Sequence, residues 1–190
     1  LNKYVDLLKK INTTECFDPS VPSIKKFFIE KVDAIKHLLD EAHYEKLLGL
    51  MKSVPERSTF VHGDCHFKNI MVQGEDFLLI DMDTLSVGHP IFELANLRCP
   101  YVAFEEDAPG NCEQFFGMKA EYCVKLYDDI IRLYFGKEDE AIKDKIALVC
   151  YAHMVWWTLT NQKDNQKRLN GCKERLIALL DKYNDIDIGI

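Results

Sequence analysis

The chain has 190 residues, 47% of them apolar, a formal net charge of -7 and a pI near 5.4. That length and apolar content suffice for one core that buries roughly 70% of the unfolded surface, so a single domain over residues 1–190 is expected. The acidic balance excludes a nucleic-acid or anionic-membrane binder, which needs a basic face, and no apolar run approaches the ~18 residues of a membrane span.

Seven cysteines, at 16, 65, 99, 112, 123, 150 and 172, form neither a C-x-x-C pair nor a zinc spacing. Their odd number and scatter predict reduced thiols and a cytoplasmic location. No signal-peptide pattern opens the sequence.

In chain order, Ser23 caps a helix predicted to run to about Asp40, with Ile24, Phe27, Phe28, Val32, Ile35, Leu38 and Leu39 at helical spacing. A shorter helix is predicted over His43 to Met51. Thr59-Phe60-Val61 and Asn69-Ile70-Met71-Val72 are β-prone, Gln73-Gly74-Glu75-Asp76 is a turn cluster, and Phe77-Leu78-Leu79-Ile80 returns as a strand. Pro100 to Gly110 is read as a loop. Three longer helices are predicted over Cys112 to Tyr134, Glu138 to Leu159 and Lys163 to Tyr183.

The β-prone segment carries the chemistry. His62-Gly63-Asp64 is followed by Asn69, five residues after Asp64, and then by Ile80-Asp81-Met82-Asp83. Phosphoryl transfer needs an acceptor hydroxyl held in line with the γ-phosphate, and a carboxylate beside it orients the hydroxyl and receives its proton. Asp64 suits that role. Magnesium takes hard oxygen ligands, which the Asn69 amide and the Asp81 carboxylate supply, with phosphates and water completing the shell. The hairpin would return Asp81 to the side of Asn69. His62 is read as a hydrogen-bonding brace of the catalytic loop, because Asp64 already provides a base.

These residues resemble the aminoglycoside phosphotransferase and choline kinase family. HGDCHFKN followed by LLIDMDTLSVGHPIFELANL is similar to its HGD, the Asn five residues on, I-D-x-D/E and G-D-P-x-x-D-L-A. The resemblance is specific only between Val61 and Leu97. It implies Asp64 as the catalytic Asp, Asn69 and Asp81 as magnesium and nucleotide ligands, and Asp83 as an accessory carboxylate near metal or acceptor. Gly88, Pro90 and Glu93 match the last motif, with His89 and Glu93 where Asp is usual; Glu93 is expected to anchor the loop from a helix start.

The implied fold is α+β, mostly α: a protein-kinase-like carboxy-terminal lobe whose short β-hairpin carries the catalytic loop. The implied cofactors are ATP and Mg2+. The implied partners are the nucleotide and a small hydroxyl-bearing acceptor such as an aminoglycoside, choline or a related metabolite. No G-x-G-x-x-G occurs, and the roughly sixty residues before the catalytic loop are mostly helix-patterned, so no segment matches an amino-terminal nucleotide-binding lobe. The chain is therefore expected to be the catalytic lobe of a longer kinase and nearly inactive alone; the alternative is a catalytically silent binding or regulatory module.

Other residues carry weaker readings. Gly63-Asp64-Cys65-His66 is also compatible with the G-D-x-H opening of metallophosphoesterases, but no G-N-H-E follows. Cys65 and His66 are read as loop packing. Lys68 is a solvated residue or a phosphate contact. Trp156 and Trp157 are read first as core and otherwise as acceptor-pocket residues; the resemblance to the His-x-x-Trp helix of choline kinases implies Trp156 as a candidate substrate contact, with His153 behind it rather than on the substrate. The acidic run Glu105-Glu106-Asp107 is a solvated loop or, with Asp64, Asp81 and Asp83, part of a rim that draws a cationic acceptor.

Overall fold

The computed structural model describes all residues, Leu1–Ile190. Nine α-helices and four short strands alternate with brief 3-10 turns. The first three helices are α1 (Asn2–Thr13), α2 (Ile24–Ala34) and α3 (Glu41–Ser53). Strands β1 (Phe60–Val61), β2 (Ile70–Gln73), β3 (Asp76–Leu79) and β4 (Ser86–Val87) follow. After them come α4 (Pro90–Arg98), α5 (Phe104–Asp107), α6 (Asn111–Phe116), α7 (Ala120–Phe135), α8 (Glu140–Asn161) and α9 (Gln166–Lys182).

Helix α8 is the axis of the core. It packs against α2, α4 and α9, and its segment Ile146–Ala152 is buried at every position, the pattern of a helix with no solvent face. Its start is fixed by Asp139, whose carboxylate accepts the free N–H groups of Ala141 and Ile142 at 3.1 and 3.2 Å. Asp40 caps α3 through His43 N and Asn165 caps α9 through Arg168 N. No helix is long and apolar enough to cross a membrane.

The strands form two antiparallel pairs. Phe60 faces Val87 and Val61 faces Ser86, while Ile70, Met71, Val72 and Gln73 face Leu79, Leu78, Phe77 and Asp76. The second pair is a tight hairpin over Gly74, which has φ +63°. One face turns Ile70, Phe77 and Leu79 onto the core. The other leaves Met71 and Leu78 uncovered.

Three sequence expectations are corrected. The helix begun at Ser23 stops at Ala34, and a 3-10 turn over Lys36–Leu38 follows; Ile35 is fully buried, and tightening the turn keeps Leu38 and Leu39 on the core as well. Residues 100–110 are largely helical, because α4 runs through a π-turn over Cys99–Ala103 into α5. Pro100 cannot donate the next i→i−4 bond, and the widened turn absorbs that loss. The helix predicted from Cys112 to Tyr134 is two helices, since Gly117 takes the left-handed φ of +70° that ends α6.

Candidate active site

The catalytic loop is held from beneath by one buried carboxyl group. Glu93, in the first turn of α4 and completely buried, accepts the backbone N–H of His62 at 2.5 Å and of Gly63 at 3.1 Å. Burial pushes its carboxyl up to about 7, against the downward pull of those two donors. Gly63 is required where it stands: its φ is +84°, and a Cβ would lie 3.0 Å from the Thr84 carbonyl oxygen.

His62 ties the loop to the hairpin. Its Nδ1 accepts the Asp64 N–H at 3.3 Å, leaving Nε2–H to donate to the Ile80 carbonyl at 3.1 Å. These bonds define one neutral tautomer, and burial lowers the ring's pKa to match. Both nitrogens are thereby committed. Thr84 Oγ1 donates to the His62 carbonyl at 2.7 Å, which joins the loop to the turn that carries Asp83.

Asp64 and Asn69 form a clamp. The Asn69 amide donates to the Asp64 carbonyl at 2.9 Å and to its Oδ2 at 3.0 Å, while His66 Nε2 lies 3.4 Å from Oδ1. The Asp64 side chain nevertheless remains 45% exposed. With Nδ2 spent on Asp64, Asn69 has its carbonyl oxygen left for another partner. The hairpin closes on this residue, Ile80 N donating to Asn69 O at 3.0 Å, so Asp81 emerges beside it.

Asp81 is the one non-glycine residue with positive φ, at φ 63° and ψ 66°. Such backbone costs of order 1–3 kcal/mol and is retained where the surroundings or function impose it. Asp81 and Asp83 are exposed, and neither carboxylate has a side-chain hydrogen bond or ion pair within the protein. An amide oxygen and unpaired carboxylates suit magnesium, which uses one or two carboxylates and takes its remaining ligands from phosphates and water. No three His, Cys, Asp or Glu side chains converge as a closed metal cluster, in keeping with such an open site.

A cavity of about 860 Å³ adjoins one side of the clamp. Gly63, Asp64, His66, Asp83 and Thr84 contribute its catalytic side, whereas Asn69 and Asp81 do not line it. Lys31 from α2, Asn96 from α4 and His153, Trp157 and Gln162 from α8 and its end complete much of the remainder. The π-turn places Cys99 and Pro100 in the wall. Lys31, Asn96 and Arg168 have no sequence signature of a site; the one available hint is a polar Asn96 within the apolar run of α4.

The weaker sequence readings divide. Trp157 lines the cavity and meets Phe104 edge-on at 4.8 Å, whereas Trp156 does not line it and stacks near His153 and the Lys31 ammonium. Lys68 donates to the Phe115 carbonyl at 3.1 Å and lies over its ring. Cys65 is buried, and that burial pushes its thiol up, so it is an inert filler.

The acidic run is not a solvated rim. Glu105 accepts the N–H groups of Gly110 and Cys112, Glu106 accepts from Arg98 and Tyr151, and Asp107 takes both Arg175 nitrogens at 2.9 Å. Glu105 joins α5 to the start of α6, and Glu106 and Asp107 join it to α4, α8 and α9; of the three only Asp107 is buried.

The fold is α+β and mostly α, of the type of a protein-kinase-like carboxy-terminal lobe, with the short β-hairpin beside the motif. A family model for the phosphotransferase enzyme family matches residues 29–120, which contain the whole motif. A choline/ethanolamine kinase family protein from Mesorhizobium loti superposes with a TM-score of 0.54 at 13% identity, over 96% of this chain and 65% of that one. A thermostable mutant of aminoglycoside phosphotransferase APH(4)-Ia, in its apo form, superposes with a TM-score of 0.51 at 16% identity, over 95% and 64%. The chain thus spans somewhat less than two thirds of the structures it matches. No curated protein matches it. The motif and the family-model match fall on the same residues, and the two structures are similar in fold.

Proposed function

We propose that the chain is the catalytic lobe of an ATP- and magnesium-dependent kinase that transfers the γ-phosphoryl group to a hydroxyl of a small molecule. The observation that carries this reading is the Asp64–Asn69 clamp, because it stands at a boundary. Asp64 faces a cavity of about 860 Å³, within the range of small-molecule sites, whereas Asn69 and Asp81 lie outside that cavity. An acceptor in the cavity would meet the phosphoryl donor across the clamp.

Asp64 orients the acceptor hydroxyl and takes its proton as the oxygen attacks phosphorus. Asn69 Oδ1 and Asp81 would hold the magnesium ion, with Asp83 beside them; the ion supplies charge neutralisation for the phosphates. His62, Thr84 and Glu93 keep the loop and the carboxylates in register.

The exposed side of the hairpin fits the nucleotide. Met71 and Leu78 are directly paired, and Ile80 and Met82 continue the apolar strip past Asp81, all between 38 and 52% exposed. An adenine ring resting there would need a roof from a separate amino-terminal lobe, so the lobe alone should be nearly inactive. A cytoplasmic setting supplies nucleotide, magnesium and reducing conditions for seven free thiols.

The test is a transfer assay with γ-labelled ATP, magnesium and a panel of small alcohols, on the full-length enzyme and on residues 1–190 alone. Label should move to an alcohol with the former and at a small fraction of that rate with the latter. ATP consumption by neither, or micromolar nucleotide affinity in the lobe alone, contradicts this reading.

A further inference from the structure

The cavity beside Asp64 holds cations that no protein carboxylate neutralises. Lys31 is half-buried in its wall and has no ion-pair partner; its ammonium contacts His153 Nδ1 at 2.9 Å and lies over the Phe28 and Trp156 rings at 4.5 and 4.9 Å. An ammonium can donate only, so His153 Nδ1 accepts and its ring is the neutral Nε2–H tautomer. Burial and the neighbouring Lys31 both depress the His153 pKa, which keeps that ring uncharged. One N–H of Lys31 is thus satisfied and the others have no protein acceptor.

A second cation lines the same cavity. Arg168, 3% exposed, donates from Nη1 to Gln162 Oε1 at 2.7 Å and from Nη2 to the Phe104 carbonyl at 3.2 Å, and its Nε has no partner. No carboxylate forms an ion pair with it. Asn96, also in the wall, has a buried side-chain oxygen without a hydrogen bond. Buried polar atoms of this kind are normally satisfied by protein or by ordered water, and in a cavity a ligand can take that place.

The charges in the cavity sort into two groups. Asp64 and Asp83 are its acidic members, and the proposed chemistry engages Asp64 with the acceptor's hydroxyl proton and Asp83 with the magnesium ion. Lys31, half-buried, and Arg168, buried, remain without a carboxylate partner, and an oxyanion in the cavity would offset that unpaired charge. Of the carboxylates expected to favour a cationic acceptor, Glu105 and Glu106 are engaged in the helix contacts described above and Asp81 lies outside the cavity, which leaves Asp64 and Asp83 in its wall.

We propose that the acceptor is an anionic alcohol, whose oxyanion binds at Lys31 in the cavity that Arg168 also lines, while its hydroxyl is presented to Asp64. This rests on the kinase reading for the role of Asp64, but the binding itself does not. Carboxylate and phosphate are the two oxyanions of suitable size. Asn96 Oδ1 would accept from a second hydroxyl, so polyhydroxylated acids and sugar phosphates match the cavity.

The experiment is calorimetry on the full-length enzyme without nucleotide, using glycerate, glycerol 2-phosphate, glycerol and choline as probes. At least one oxyanion should bind ten-fold or more tightly than glycerol and choline. Glycerate as the tighter probe assigns a carboxylate, and glycerol 2-phosphate a phosphate. Lys31→Met should remove that preference and Lys31→Arg should restore most of it, while circular dichroism confirms that both variants fold. Choline or glycerol binding as tightly as both oxyanions, or an unchanged preference in Lys31→Met, overturns the proposal. Phosphoryl transfer is not measured here, so this failure is separate from a failure of the kinase assignment.

Discussion

The helical body and the catalytic hairpin use their residues in opposite ways. In the body, α8 buries almost its whole circumference and even acidic groups such as Asp107 are turned inward onto arginines. In the hairpin, Asp81, Asp83, Met71 and Met82 lie exposed, and Asp81 holds a left-handed backbone. Reactive groups must stay accessible, so their positions are fixed from behind by Glu93 and His62. On the proposed function, stability resides in the body and chemistry in a less buried hairpin anchored to it.

That contrast can be broken first where stability should be concentrated. Leu176, fully buried on α9, has no part in the site, and Leu176→Ala should cost about 2–5 kcal/mol through the cavity it leaves. Urea denaturation measures the loss. A variant with unchanged stability would mean that α9 does not belong to the cooperative core.

Glu93 joins the two regions and should affect both. In Glu93→Gln the amide NH₂ replaces one oxygen, so either His62 N–H or Gly63 N–H faces a donor, at a cost of about 1–3 kcal/mol, and turnover should fall with it. The wild-type carboxyl also titrates in a definite direction. Its pKa is raised from 4.5 to about 7 on folding, so the folded state binds the proton more tightly than the unfolded chain. Its contribution makes stability decline as pH rises from about 4.5 to about 7 and level off above. Denaturation of both proteins across that window should show a steeper decline in the wild type; parallel curves would remove Glu93 as the titrating anchor.

The smallest effect distinguishes function from stability at a single position. Asp81→Gly relieves the left-handed backbone and should leave the fold as stable or up to about 1 kcal/mol more stable. The same change should raise the magnesium concentration needed for half-maximal activity several-fold. A destabilised Asp81→Gly protein, or an unchanged magnesium midpoint, would show that the strain is not held for metal binding.

Local chemistry made the hairpin legible from sequence. The HGD, the Asn five residues later and the I-D-x-D are contiguous, and the turn at Gly74 fixes their register. The body was legible as helices but not in its breaks. Nothing in the periodicity distinguishes Ile35 ending α2 from Ile35 continuing it, and Pro100, which the π-turn after Arg98 accommodates, is equally compatible with a loop. Gly117 is a helix stop by its own chemistry, but the apolar repeat continues across it and predicts one longer helix. The cavity wall was hidden for a different reason: Lys31, Asn96, His153 and Arg168 come from four helices, and only folding brings them together.

The most direct measurement is the division between chemistry and binding in Asp64→Asn. In the full-length enzyme with magnesium, single-turnover transfer from labelled ATP should fall by roughly 10²–10⁴ while nucleotide affinity changes less than about two-fold, because Asp64 acts on the acceptor hydroxyl. Wild-type turnover in Asp64→Asn, or a loss of nucleotide binding large enough to explain the whole decrease, would contradict the assignment of Asp64 as the acceptor's base.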